Sequence, residues 1–160
     1  MSEAEQRPAF IGVDWGTSSF RAWLFDDKGG VLDLVQGPFG IRQITDQSFE
    51  KTLRTAIGSW LVGHEDIAVI MCGMIGSAQG WYEAGYLSGH IGVDELSSGM
   101  VKVPDTQLNV MIVPGIRGVS VAGLNDVVRG EETLLAGWLQ QPTDCEAVFC
   151  LPGTHSKWIV

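Results

Sequence analysis

IGVDWGTSSFRAWLFD, residues 11–26, begins as a buried strand and then sets Asp14 where the apolar run would continue. Gly16 and three hydroxyl residues, Thr17, Ser18 and Ser19, separate that run from a second apolar segment. Two readings compete. In one, the polar interval is a plain hairpin and Asp14 bonds its own turn. In the other, Gly16 lets a ligand approach the backbone, and the amides and hydroxyls cradle phosphate. Asp14 then holds Mg²⁺ directly or through its waters, since this ion takes one or two carboxylates together with substrate phosphates.

Three more apolar runs close in glycine-bearing loops: VIMCGMIG (69–76), VMIVPGIRG (110–118) and VFCLPGTHS (148–156). They are short, rich in β-branched residues and ended by turn signals, which predicts buried strands. Loops at the carboxyl ends of parallel strands are where α/β proteins hold ligands, so the recurrence points to a site. FRAWLFDDKGGVLDLVQ, residues 20–36, reads as two strands about the turn DDKGG. A helix is predicted from Thr45 to Leu61, with Phe49, Leu53, Ile57, Trp60 and Leu61 on one stripe and Thr45 or Asp46 as its cap. A second runs from about Glu131 to Gln140, its apolar side made by Leu134, Leu135, Trp138 and Leu139. Glu131 and Glu132 suit the positive end of its dipole. Residues 80–105 are glycine-rich without a period and read as an irregular insertion with short extended pieces.

The resulting order opens with three strands, as a ribonuclease H-like α/β fold does: an antiparallel trio leading into a mixed sheet with parallel strands and helices. A Rossmann fold would send its first strand straight into a helix. The segment FCLPGTHSKWIV reads as strand, turn and the start of another strand. The expected division is therefore a first lobe over residues 1–143 and the beginning of a second, truncated lobe over 144–160.

Composition narrows the partners. The chain has 160 residues, 45% hydrophobic and 18% charged, in the range of a folded globular domain. Its net charge of −9 argues against a nucleic-acid backbone partner, so an anionic ligand must be held locally. A metal, a helix N-terminus, backbone amides or a few basic side chains serve that purpose. Cys72, Cys145 and Cys150 form no Cys-x-x-Cys pair, and His64, His90 and His155 stand apart, which disfavours structural zinc and a disulfide framework. No run reaches the ~18 apolar residues of a membrane span, and MSEAEQRP has no signal-peptide pattern. A cytoplasmic protein with no membrane partner is expected.

No Gly-x-x-x-x-Gly-Lys-Ser/Thr and no strand-following Gly-x-Gly-x-x-Gly occurs. The remaining candidates are the Asp14 turn, the segment LNDVVRGEE, and the loop GMIGSAQGWYEAGY (73–86). Asp126 falls near the start of the second predicted helix, where backbone amides favour an ionised carboxylate that faces a substrate hydroxyl. The competing reading makes Asn125 or Asp126 a helix cap. In the loop, Gln79 and Glu83 can bond hydroxyls, Trp81 and Tyr86 offer apolar faces, and Ser77 with the loop amides, Gly80 included, can meet a carboxylate. The alternative buries both aromatics and leaves Glu83 in water. Arg129 suits a substrate carboxylate or phosphate, or equally a solvated surface.

GVDWGTSSFRA resembles the first phosphate motif of the sugar kinases in the actin, hexokinase and Hsp70-type ATPase superfamily. Together with MCGMIGSAQGWYEAGYL, LNDVVRGEET and LPGTHSKW, it resembles the 2-dehydro-3-deoxygalactonokinase family over nearly the whole chain. The resemblance implies the first lobe of an actin-like ATPase fold, with ATP and Mg²⁺ as cofactors and a sugar acid as acceptor. It places Asp14, Gly16, Thr17 and Ser18 at the ATP phosphates, Asp14 at the metal, and Arg21 near the transferring group. Gly153, Thr154, His155, Ser156 and Lys157 would form the second phosphate loop, although that loop departs from the superfamily's Asp-Gly-Gly. Asp126 would be the catalytic base, and Ser77, Gln79, Gly80, Trp81, Glu83, Tyr86 and Arg129 the substrate site. The implied reaction carries the γ-phosphoryl of ATP to the terminal hydroxyl of the ketodeoxy acid in galactonate breakdown. A kinase for another sugar or sugar acid, and a non-catalytic sugar-acid-binding module, remain alternatives. A homodimer stays open.

Overall fold

A computed structural model describes residues 7–119, 123–140, 148–151 and 156–159. Its main sheet opens with three antiparallel strands, β1 (Pro8–Trp15), β2 (Phe20–Asp26) and β3 (Val31–Gly37). Helix α1 (Phe49–Leu61) then leads to β4 (Ala68–Cys72), which pairs parallel to β1. Strand β5 (Tyr86–Ser88), helix α2 (Val93–Ser98) and β6 (Val101–Lys102) come next. They precede β7 (Asn109–Ile112), which is parallel to β4 and antiparallel to β6. The six-stranded order is β3-β2-β1-β4-β7-β6. A mixed α/β architecture with the expected antiparallel opening is present.

Alternation within these strands produces the core. Leu24, Ile11, Val69 and Val110 lie opposite one another across four strands, as do Ala22, Val13, Met71 and Ile112. All eight are buried on the same sheet face. The predicted stripe of α1 joins them: Phe49, Leu53, Ile57, Trp60 and Leu61 belong to the same apolar cluster. Trp15 meets Phe20 and Phe49 edge to face, with centroids at 5.0 and 5.8 Å, and donates its indole N–H to the Phe39 carbonyl. Each fully buried large side chain of this kind contributes about 1.5–3 kcal/mol. The chain therefore fixes one sheet face by burial and leaves the other, which carries Asp14, for polar work.

Three elements differ from the expectation. Helix α1 starts at Phe49 after Ser48, not at Thr45, because the Asp46 carboxylate turns back to accept from the Ser48 amide and hydroxyl. The insertion contains a real helix, α2, whose Glu95 carboxylate accepts from the Gly92 amide. The region after β7 holds two further strands, β8 (Gly115–Val119) and β9 (Asn125–Val128), in a separate sheet of order β5-β8-β9. Helix α3 (Glu131–Leu139) follows, preceded by Gly130, so neither Asn125 nor Asp126 caps it. Strands β10 (Phe149–Leu151) and β11 (Lys157–Ile159) pair as a small antiparallel ribbon.

The DDKGG turn shows how the hairpin is closed far from the polar edge. Asp26 is 5% exposed, and its Oδ1 accepts from the amides of Lys28 at 2.9 Å and Gly30 at 2.7 Å. Asp26→Ala leaves two amides without this acceptor and is expected to cost about 2 kcal/mol. A urea midpoint that does not move would remove the turn from the list of stabilising features. Among the described residues no helix is long and apolar enough to cross a membrane.

Candidate active site

Asp14 is the last polar position of β1, on the sheet face opposite the core, and strand register supplies its neighbours. Arg21 of β2 and Cys72 of β4 lie directly opposite it on either side. The Arg21 guanidinium stands 3.1 Å from the Asp14 carboxylate, so the predicted phosphate and transfer residues form a cross-strand ion pair. Burial pushes the Asp14 carboxyl above its ordinary range; Arg21 pulls it down, and the charge of Glu131 pushes it up again. Two carboxylates are thus held in one field with a single arginine to offset them. An oxygen donor set with excess negative charge fits Mg²⁺, whose carboxylate holder here would be Asp14. Among the described residues no three His, Cys, Asp or Glu side chains gather as a metal site.

The turn after Asp14 is braced from behind. The Gly16 amide donates to the Ser19 carbonyl at 2.9 Å, while Ile41 and Arg42 amides donate to the Gly16 and Thr17 carbonyls at 3.0 and 3.2 Å. Gly40 packs on the Ser18 backbone so closely that a Cβ would sit 2.4 Å from its nitrogen. With the Gly16, Thr17 and Ser19 carbonyls tied down, Ser18 and Ser19 stand exposed. That geometry serves an anion better than a freely swinging hairpin would.

Helix α3 reaches this edge through its first turn. Gly130, at φ +104°, lies against Gly73 at the end of β4: a Cβ on Gly130 would be 3.1 Å from the Gly73 Cα. Glu132 is 1% exposed, and both its carboxylate oxygens accept from the Gly130 amide, at 2.8 and 2.7 Å. The sequence reading gave Glu131 and Glu132 only a dipole role. Burial of one of two adjacent glutamates after a glycine is the signal it lacked. Desolvation pushes the Glu132 carboxyl to about 7, against hydrogen bonding from Gly130. Cys72, beside it, is pushed to about 12 by burial and by the charge of Asp14, which makes it an inert thiol.

The sign of the Glu132 shift fixes a pH dependence. A carboxyl raised from 4.5 to about 7 binds its proton more tightly in the folded state, so its contribution is full below about pH 4.5. That contribution is lost as pH rises through about 7. Wild-type stability minus that of Glu132→Gln should therefore fall across this window. Chemical melts at several pH values test it, and a constant difference would show that Glu132 does not titrate there.

The remaining predicted residues divide. The Ser77 hydroxyl donates to the Met74 carbonyl at 2.7 Å and accepts from the Gln79 amide, so it shapes the loop before it meets any ligand. Gly80 is required by contact, since a Cβ would lie 2.0 Å from the Ile75 carbonyl oxygen. Trp81 packs against the core and, with Gln47, Lys51 and Arg54 of the α1 region, lines a cavity of about 650 Å³. Gln79 and Glu83 are exposed. Tyr86 stacks under the Arg129 guanidinium at 4.3 Å.

Asp126 requires a correction. It lies within β9, paired with Gly118, and not at a helix start, so helix amides do not hold its carboxylate. Instead its carboxylate takes the Val127 amide at 2.8 Å and contacts the Lys157 ammonium of β11. The candidate base and the candidate second phosphate loop, predicted separately, meet here. Ser156 is exposed; Gly153, Thr154 and His155 lie outside the described residues.

Residues 14–160 match the family described as 2-keto-3-deoxy-galactonokinase. The chain belongs to this family. A Rhizobium meliloti (strain 1021) protein named as a probable 2-dehydro-3-deoxygalactonokinase is 34% identical over 150 residues. The Escherichia coli (strain K12) 2-dehydro-3-deoxygalactonokinase is 33% identical over the same length. Both alignments cover 94% of this chain and 48% of the relative. A crystal structure of a Sinorhizobium meliloti protein assigned to the same kinase superposes with a TM-score of 0.83 at 34% identity. It covers 94% of this chain and 49% of that one. The chain thus spans about half the length of the family members it matches, and that half includes the Asp14 turn, the 73–86 loop and Asp126.

Proposed function

We propose that the protein is a sugar-acid kinase that transfers the γ-phosphoryl group of ATP to the terminal hydroxyl of 2-dehydro-3-deoxy-D-galactonate, giving the 6-phosphate in galactonate catabolism. Family membership supports the substrate class. The observation that carries the chemistry is the contact of Asp126 with Lys157, which joins a carboxylate able to accept a proton to a cation able to face phosphate. The strand order supports a ribonuclease H-like, actin-like lobe over residues 1–143, with the β10–β11 ribbon opening a second lobe from 144. A cytoplasmic location follows from the use of ATP.

In this reading the braced Asp14 turn receives the nucleotide phosphates through the Thr17 and Ser18 amides and hydroxyls. Mg²⁺ bound near Asp14 would supply charge neutralisation on the phosphate oxygens. Arg21 favours the ionised form of Asp14 against the effect of burial, and faces the transferring group. Asp126 orients the acceptor hydroxyl and takes its proton as the new O–P bond forms and the bond to the β-phosphate bridging oxygen breaks. ADP leaves with that electron pair. Positioning and charge neutralisation dominate such a transfer, so a base of ordinary carboxylate strength suffices.

The test is ADP release by the full-length protein, with the ketodeoxy acid as acceptor and other sugar acids and neutral sugars as controls. Turnover should require the ketodeoxy acid. ADP release with equal rates in its absence sinks the assignment, and a strong preference for another acceptor moves it to a different sugar kinase.

A further inference from the structure

Resting on that reading, we propose that Arg129 is the residue that selects an acid over a neutral sugar, by pairing with the acceptor's carboxylate. Its side chain lies beneath the 76–86 loop at the carboxyl ends of β4 and β7. The Nη2 donates to the Gly85 carbonyl at 2.6 Å, Nε reaches the Tyr86 hydroxyl at 3.4 Å, and the plane stacks on the Tyr86 ring. The Nη1 is buried without any hydrogen-bond partner. Among the described residues no carboxylate forms a salt bridge with this guanidinium.

That arrangement is unusual in a chain with 19 acidic and 10 basic residues, where acidic partners are plentiful. Two glutamates stand two and three positions on, yet neither forms an ion pair with the guanidinium, although its charge reaches Glu132. Glu131 accepts from the Arg129 amide and Glu132 from the Gly130 amide, each through its carboxylate. Both carboxyls bond backbone amides, and neither supplies a hydrogen bond to Nη1. A buried, unpaired cationic N–H costs more than a neutral one, and buried charge persists in proteins when something pairs with it. A planar fork already fixed on one side by stacking matches a carboxylate better than a hydroxyl. The 76–86 loop, whose backbone caps the fork at Gly76 and Gly85, also carries the exposed Gln79 and Glu83, so a shift of this loop on binding would uncover Nη1. Those two are equipped for hydroxyl groups, which leaves the carboxylate to Arg129.

Gly76 supplies a second handle. A Cβ there would stand 2.8 Å from both Arg129 Nη1 and the buried Ile112 Cγ2, so Gly76→Ala displaces the fork without removing its charge and also presses on the core, which the melt reports. The experiment is calorimetric binding of the ketodeoxy acid and its carboxamide to full-length wild type, Arg129→Met, Arg129→Lys and Gly76→Ala, with a thermal melt on each. Wild type is expected to prefer the acid by about 10–100-fold, in line with a charge-assisted pair. Arg129→Met should bind acid and amide alike, Arg129→Lys should keep part of the preference, and Gly76→Ala should lose affinity for the acid selectively. An Arg129→Met protein that retains the preference, or that weakens both compounds equally, overturns the proposal in favour of a strap that only holds the loop. Wild type binding the two compounds equally sinks this inference alone, and wild type binding neither sinks the kinase reading with it. Should Arg129→Met melt early, Arg129→Lys and Gly76→Ala decide.

Discussion

Asp126→Asn is expected to lower turnover by about 10²–10⁴-fold while leaving the affinity for the acid within about threefold. Asparagine keeps the shape and the hydrogen-bonding oxygen that takes the Val127 amide. What it loses is the ability to accept the hydroxyl proton and to balance the Lys157 ammonium. A residue that served only to pair with lysine would show its loss in stability or in nucleotide affinity, with kcat little changed. ADP-release kinetics with calorimetry on the same preparation separates the two. Turnover within about tenfold of wild type would take the base role from Asp126.

Gly40→Ala is expected to destabilise the fold by about 3 kcal/mol, at the upper end of overpacking costs, and to weaken nucleotide binding by at least about tenfold. Gly40 has φ −64° and ψ 174°, a conformation any residue adopts, so its backbone angles do not exclude a side chain. Contact does. The added carbon would stand 2.4 Å from the Ser18 nitrogen and 2.5 Å from its Cα and carbonyl carbon. None of these can rotate aside as a side-chain tip would. The segment carrying Gly40 or the Asp14 turn must move, and the turn is held to that segment by the Ile41 and Arg42 amides. A urea melt with nucleotide calorimetry tests both halves of the expectation. A variant with unchanged stability would show that the turn yields easily and is not a rigid cradle.

The parts of the fold readable from sequence are those that burial enforces. β1, β2, β4 and β7 alternate or run apolar because one sheet face is fully covered, and the α1 stripe matches that face residue for residue. β8 and β9 gave no such signal. GIRGV and NDVV are short, glycine-bearing or polar, mostly exposed, and held by strand pairing within the β5-β8-β9 sheet rather than by a core. Asp126 consequently reads from sequence as lying at the start of the second helix, either as a base held by helix amides or as a cap. The Asp14 turn was legible because a carboxylate interrupting a strand is conspicuous. Glu132 was hidden, because a glutamate in the first turn of a helix ordinarily faces water and only tertiary packing buried it.

Strand β9 gives two opposed neighbours to a span of four residues: Asp126 turns to Lys157 on the β10–β11 ribbon, and Arg129, just beyond the strand, turns to Tyr86 on β5. Spacing along that span is therefore a shared setting. Lengthening or shortening the chain by one residue between them would exchange the sides from which a strand presents its groups. Within this short ruler, residues can be replaced only one for one.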